Sequence, residues 1–198
     1  MIQEAIQQFE GNILYLDTDT VFRKSPSGLF EKISHGKFLM HENEGALSQK
    51  SNPLFVKLSR FFRKNLSFLG GKVGISGDFM MFNAGLLGFS TQTLRPLIAE
   101  VLSLSDELYA SYPKHVMEQI AFTWYFSQKS LPETTQKEVY HYWFYKEFRG
   151  KLAVFFEENR GKNYQKIIPL LSAIDPEKLY TPPVKTSFIH KIKTVLGF

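Results

Sequence analysis

Ile13-Leu14-Tyr15-Leu16 runs into Asp17-Thr18-Asp19 and then Thr20-Val21-Phe22, and no other stretch constrains the fold as strongly. An apolar run with β-branched and aromatic members, bounded by Asn12 and a polar turn, predicts a buried strand. Two carboxylates, one residue apart, stand at its C-terminal end. In open α/β sheets ligands bind in the crevice beyond the carboxyl ends of the strands. Paired acids there suit a hard divalent cation, which prefers carboxylate oxygens and often bridges to phosphates. The same residues also fit a strand end whose aspartates make Asx-turns, and the pair alone leaves both readings open.

The rest of the chain alternates short apolar runs with helical patterns. Ile2 to Phe9 predicts a short helix, Gly28 to Ser34 another, and Lys37 to His41 a strand. Leu54, Phe55, Leu58, Phe61, Phe62, Leu66 and Leu69 recur at helical spacing and predict an amphipathic helix. Gly70, Gly71, Gly74 and Gly77 mark a loop. Phe79 to Phe82 and Leu86 to Phe89 read as strands around Asn83-Ala84-Gly85. Helices are expected over Thr93 to Tyr109, His115 to Gln128 and Lys146 to Glu158, with an aromatic β-prone run from Val139 to Tyr145. Mixed strands and helices give an α/β class.

At 198 residues, 43% of them hydrophobic, the chain is long enough for one well-packed domain with an appendage. It has no cysteine, which excludes disulfides, thiolate metal sites and a cysteine nucleophile. Neither a signal peptide nor an apolar run long enough to span a bilayer is visible, and a cytoplasmic location is expected. The net charge of +5 is unevenly placed. From Gly45 to Gly77 there is no acid, but there are Lys50, Lys57, Arg60, Arg63, Lys64 and Lys72. Val184 to Phe198 is also acid-free and holds Lys185, Lys191 and Lys193; the chain outside these two stretches is net acidic. Such clusters favour phosphates or lipid head groups as partners; no nucleic-acid partner is expected. The helical pattern from Ser187 to Phe198, after Pro182-Pro183, is the candidate for peripheral membrane contact. For the helix beginning near Leu54, a core-facing stripe with a solvated charged side is the preferred reading.

Two enzyme classes carry a strand ending in Asp-x-Asp. Haloacid dehalogenase-like phosphatases follow it with Thr or Val, as Thr20-Val21 does, but they need a later acidic pair. Asp78 is followed by the apolar Phe79 to Phe82 and then Asn83, and no Asp-Asp or Asp-x-x-x-Asp occurs later. The other class fits better. Phe82-Asn83-Ala84-Gly85-Leu86-Leu87-Gly88-Phe89 resembles the Phe-Asn-Ala-Gly segment of GT-A-type glycosyltransferases, close to family 8. Glu118-Gln119 resembles their acidic-Gln pair near the donor sugar, and His141-Tyr142-Trp143 their C-terminal His element. All follow Asp17-Thr18-Asp19 in the family's order, and the resemblance covers roughly Gly11 to Lys146.

The resemblance implies an incomplete GT-A, Rossmann-like mixed sheet with flanking helices and a C-terminal helical tail. It divides the chain into a partial glycosyltransferase domain over 1–158 and a tail over 159–198 with a basic amphipathic end. It further implies that Asp17, Asp19 and His141 hold a divalent cation, manganese or else magnesium. Asn83, Ala84 and Gly85 would lie against the donor sugar or acceptor, Glu118 or Gln119 would face the reacting centre, and Lys146 would neutralise the leaving diphosphate. The implied reaction moves a sugar from a nucleotide-diphosphate donor to a glycan or lipid-linked acceptor. Only sixteen residues precede Asp17, whereas one βαβ unit takes about 30 or more. The base-binding half is thus expected to be missing, and the chain alone to turn donor sugars over poorly. A non-catalytic remnant that binds partners or membranes is the alternative. Residue by residue, Asn83-Ala84-Gly85 also reads as a hairpin turn, Glu118 as a favourable charge at a helix N-terminus, and His141 as a hydrogen-bonded core residue. His35, His41, His115 and His190 show no ligand spacing and are read as structural.

Overall fold

The protein is described by a computed structural model over residues 1–65 and 67–181. It divides into two compact units, Met1–His141 and Tyr142–Phe198. The boundary expected from sequence, after Glu158, falls inside the second unit.

In order along the first unit come α1 (Ile2–Gln8), β1 (Asn12–Leu16), β2 (Thr20–Phe22), α2 (Ser27–Ser34), β3 (Leu39–Met40), β4 (Asn43–Ala46) and α3 (Pro53–Lys64). They are followed by β5 (Met80–Phe82), β6 (Leu86–Ser90), α4 (Thr91–Leu94), α5 (Ile98–Ser111), α6 (Met117–Phe126), β7 (Glu133–Thr134) and β8 (Val139–His141). The main sheet has four strands in the order β1-β6-β3-β7. β6 runs antiparallel to both neighbours, and β3 and β7 are parallel. Two small antiparallel pairs, β2-β8 and β4-β5, stand beside it. This is an α/β arrangement with a mixed sheet and flanking helices.

Side chains of a strand alternate between faces, and both faces of this sheet are covered. Leu14 and Leu16 of β1 pack with Leu29 and Ile33 of α2, with Leu39 and with Leu86. Ile13 and Tyr15 face the larger core, which includes Met40, Leu87, Phe89 and the buried residues of α5 and α6. The central strand β6 is buried from Leu86 to Phe89. Gly88 is required there, because a Cβ would run into the Leu39 side chain paired with it. β1, predicted to be buried, is half-buried along its whole length. It lies at the sheet edge, with β6 as its strand neighbour among the described residues. The bond from the Asp17 N–H to the Gly85 carbonyl sets the alternation of the ladder, so the backbone groups of Leu14 and Leu16 face the open edge.

α3 starts where the Asn52 side chain accepts from the N–H groups of Leu54 and Phe55 and Pro53 takes the first turn. It ends at Lys64, one turn earlier than its apolar periodicity suggests. Phe55, Leu58 and Phe62 are buried and Lys57, Arg60, Arg63 and Lys64 exposed, so the stripe serves the core. Burial of each such side chain is worth about 1.5–3 kcal/mol. The helix expected over Thr93 to Tyr109 is broken into α4 and α5, because Pro96 has no N–H to continue the ladder. No helix among the described residues is long and apolar enough to cross a membrane.

The second unit contains α7 (Phe148–Glu158), α8 (Tyr164–Ile167), a 3-10 stretch Ile168–Ile174 and α9 (Pro176–Leu179). The Tyr145 hydroxyl donates to the Leu179 carbonyl at 3.0 Å, and Tyr145 and Phe144 meet the ring of Tyr180. The amphipathic pattern from Ser187 to Phe198 lies outside the described residues.

Candidate metal centre

Two strand pairings converge on the turn between β1 and β2. β1 ends beside Gly85, since the Asp17 N–H donates to the Gly85 carbonyl at 3.0 Å. β2 begins one residue after Asp19, and its first residue, Thr20, pairs with His141, the last residue of β8. Asp17 and Asp19 are therefore held between Gly85 and His141, residues more than fifty positions apart in the sequence. The Thr20 hydroxyl closes the turn by donating to the Asp17 carbonyl at 2.8 Å. The aromatic run from Val139 was expected to stay extended to Tyr145, but β8 stops at His141 because its partner β2 is three residues long.

His141 Nε2 is 3.0 Å from Asp19 Oδ1 and 3.9 Å from Asp17 Oδ2. One ligand atom from each of the three residues lies within 4.8 Å of the others. Donors around a cation with bonds of about 2.1 Å stand roughly 3–4.2 Å apart, so small side-chain movements close the set around an ion. The side chains of His141 and Asp19 are 6% and 14% exposed and that of Asp17 is 40% exposed, so the cluster opens to solvent on the Asp17 side. Two carboxylates and one imidazole suit manganese or magnesium better than a soft metal.

The other ring nitrogen of His141 is fixed by Asn83. Asn83 is clamped by its backbone, its N–H donating to the Glu42 carbonyl at 2.7 Å and its carbonyl accepting from the His41 N–H at 3.0 Å. Its Oδ1 accepts from the Gly85 N–H at 2.9 Å, and its Nδ2 donates to Glu44 at 3.0 Å. Oδ1 is thus an acceptor toward His141 Nδ1 as well, at 3.0 Å, and Nδ1 must carry the hydrogen. Nε2 then faces the two carboxylates. With a lone pair there, it repels them unless a cation intervenes; with a proton there, it pairs with Asp19. A metal-bound histidine characteristically donates its second N–H to an oxygen acceptor in this way. The His141 ring lies directly over Gly85, where a Cβ would overlap Nδ1 and Cε1. Gly85 admits the close approach of the imidazole. Asn83-Ala84-Gly85 is not a hairpin turn: β5 pairs with β4, and β6 with β1 and β3. Ala84 packs against the larger core.

Glu118 and Gln119 open α6. Gln119 is buried and its Nε2 donates to Glu44 at 2.7 Å, so its amide is engaged by the same carboxylate that holds Asn83. Glu118 is exposed, yet partial burial of its carboxyl and then repulsion from Asp17 raise its pKa above the ordinary value. Lys146 belongs to the second unit, in the turn before α7.

Three residues at the site were not singled out from sequence. Tyr15 donates to Asp17 Oδ1 at 2.8 Å. Burial, that hydrogen bond, and the charges of Asp17, Glu118 and Asp19 push its pKa up to about 12. Its spacing of two from Asp17 on one strand was a usable signal. Glu44, which joins Asn83 to Gln119, had none. His41, read as structural, is buried, donates Nε2–H to the Val139 carbonyl at 3.1 Å, and meets the His141 ring edge-on at 5.3 Å.

Burial, with smaller contributions from the charges of His141 and Arg23, lowers the His41 pKa to about 4. Its unfolded value is about 6.5. Below pH 6.5 the unfolded chain takes up a proton that the folded chain refuses, so stability falls as pH drops toward 4. From pH 6.5 to 4.5 this group accounts for roughly 2 kcal/mol of lost stability. Urea denaturation of wild type and His41→Gln at both pH values checks this; equal pH dependence in the two proteins would contradict it.

Compared with protein-family models, with curated proteins and with solved structures, the chain matches none.

Proposed function

We propose that the chain is a glycosyltransferase-like protein of the GT-A kind, whose metal-dependent reaction moves a sugar from a nucleotide-diphosphate donor to a glycan or lipid-linked acceptor. The observation that carries this reading is the Asp17, Asp19 and His141 cluster, with Asn83 and Gly85 orienting the imidazole. Three of the four segments that resemble the family are thereby neighbours, and the fourth, Glu118-Gln119, joins them through Glu44 and the field of Asp17.

Asp17, Asp19 and His141 would hold manganese, or magnesium, and the ion when bound supplies positive charge that stabilises a departing diphosphate. The protein's own contribution is positional. Asn83 holds the His141 Nδ1 hydrogen and turns Nε2 to the carboxylates, Glu44 holds Asn83 and Gln119, and Tyr15 occupies one oxygen of Asp17. Glu118 is the carboxyl at this end of α6 with a raised pKa, and so the group best suited to hold a proton beside the donor sugar.

The open edge of β1 favours a second reading, in which the site binds a cation and a diphosphate without transferring a sugar, because no strand beyond β1 among the described residues frames a base and ribose. One assay separates the two. The chain is incubated with manganese and a panel of uridine-, guanosine- and adenosine-diphosphate sugars, and nucleoside diphosphate release is measured. The proposal expects slow release from at least one donor, lost on chelation and in Asp17→Ala. Background release from every donor, with manganese and nucleoside diphosphate still bound, would leave the binding role.

A further inference from the structure

A cavity of about 1030 Å³ lies along α3 in the first unit, at the upper limit of the size range of small-molecule sites. Its floor is mostly apolar: half-buried Val56 faces it, and Leu47, Phe62 and Ile75 are close-packed behind that surface. Gly74 and Gly77 also line it and contribute only backbone. The rim is basic. Arg60 and Arg63 are three residues apart on α3 and share a face, and Lys50 joins them. All three are exposed, and none forms an ion pair within the described residues; Arg63 spends only its Nε, on the Ser59 carbonyl at 3.3 Å. No carboxylate among the described residues lines the cavity.

We infer that this groove binds a single-chain anionic amphiphile: a hydrocarbon chain on the apolar floor, with a phosphate or carboxylate head group between Lys50, Arg60 and Arg63. The two halves of the groove make different demands. A neutral chain would leave three cations without a counter-charge, and a free anion would leave the floor in water. An extended peptide is disfavoured because the carbonyls of Ser76 and Gly77 already accept from the N–H groups of Phe79 and Ser48, and the Ser59 hydroxyl is committed to the Leu47 carbonyl. The chain's own segment from Val184 to Phe198 is the wrong partner by charge, since it carries three lysines and no acid. The exposed Ser48 and Ser76 hydroxyls supply further donors for an anionic head group.

The test is a calorimetric titration of the full chain with dodecyl phosphate below its micelle concentration, beside inorganic phosphate and the uncharged dodecyl maltoside. Dodecyl phosphate is expected to bind at least ten-fold more tightly than either. The double variant Arg60→Gln/Arg63→Gln removes two exposed charges and should weaken dodecyl phosphate binding at least ten-fold while melting like wild type. Val56→Trp, which fills the groove, should do the same. Asp19→Ala should bind dodecyl phosphate unchanged, so failure here leaves the metal centre untouched. Equal affinity for inorganic phosphate, equal affinity for the maltoside, or unaltered binding by the double variant would each overturn the assignment. So would attachment to anionic vesicles without binding of the monomeric amphiphile, which would make the basic rim a membrane-docking surface.

Discussion

Gly85→Ala is expected to abolish high-affinity manganese binding, although the new methyl group is no metal ligand. The added Cβ occupies the space of the His141 ring, and the surroundings decide which side yields. Gly85 is tied by its carbonyl to the Asp17 N–H and by its own N–H to Asn83, and Asn83 is tied by its backbone to residues 41 and 42. The imidazole is the part free to swing. When it does, it loses both Asn83 and Asp19. Loss of orienting contacts around a metal ligand alone costs about 10–100-fold in affinity, and displacement of the ligand itself should reach or exceed the upper figure. The overpacking should also cost about 1–3 kcal/mol of stability. Gly88→Ala is the control: its Cβ meets Leu39, away from the cluster, so it should lose comparable stability and keep the metal. Titration of manganese into the three proteins, with melting curves, reads both effects. Equal manganese affinity in Gly85→Ala and wild type would contradict the geometry.

Asp19→Ala should remove the stabilisation that manganese and a nucleoside diphosphate confer together. A ligand that binds only the folded state adds about 2.7 kcal/mol at a hundred times its Kd. For a chain of this size that corresponds to a rise of roughly 5–10 °C in Tm. Asp19 is the carboxylate nearest His141 and the less exposed of the two, so its loss removes the better-shielded acid from the ligand set. The variant should be well folded without metal, because it also removes like-charge crowding with Asp17. Thermal melts with manganese plus uridine, guanosine or adenosine diphosphate give the comparison. A shift in Asp19→Ala as large as in wild type would remove Asp19 from the site.

Elements with strong local signals were legible in the sequence. β1 showed through its apolar run, α3 through its periodicity, and the α/β class through the alternation of both patterns. The cluster was legible only because four short motifs occur in one order. Spacing alone cannot bring His141 to Asp19; that takes the pairing of Thr20 with His141, a contact between strands 121 positions apart whose register is set in three dimensions. Glu44 and His41 were missed for the same reason, since their roles depend on β4-β5 pairing and on the backbone clamp around Asn83. Gly85 was noticed for close approach, and the imidazole of His141 makes such an approach. The break at Pro96 and the early end of β8 show propensity yielding to a missing donor in one case and to a short partner strand in the other.

The central claim is that the imidazole of His141 completes a cation site with Asp17 and Asp19, and pulsed electron paramagnetic resonance of the manganese-loaded protein tests it most directly. Manganese bound through one histidine carries a resolved coupling to a single directly bonded nitrogen. The account predicts that coupling in wild type, its loss in His141→Ala, and its persistence in His35→Ala, whose ring is on the exposed end of α2 and bonded to the Glu31 carbonyl. Bound manganese with no nitrogen coupling, or the same coupling in His141→Ala, would contradict it.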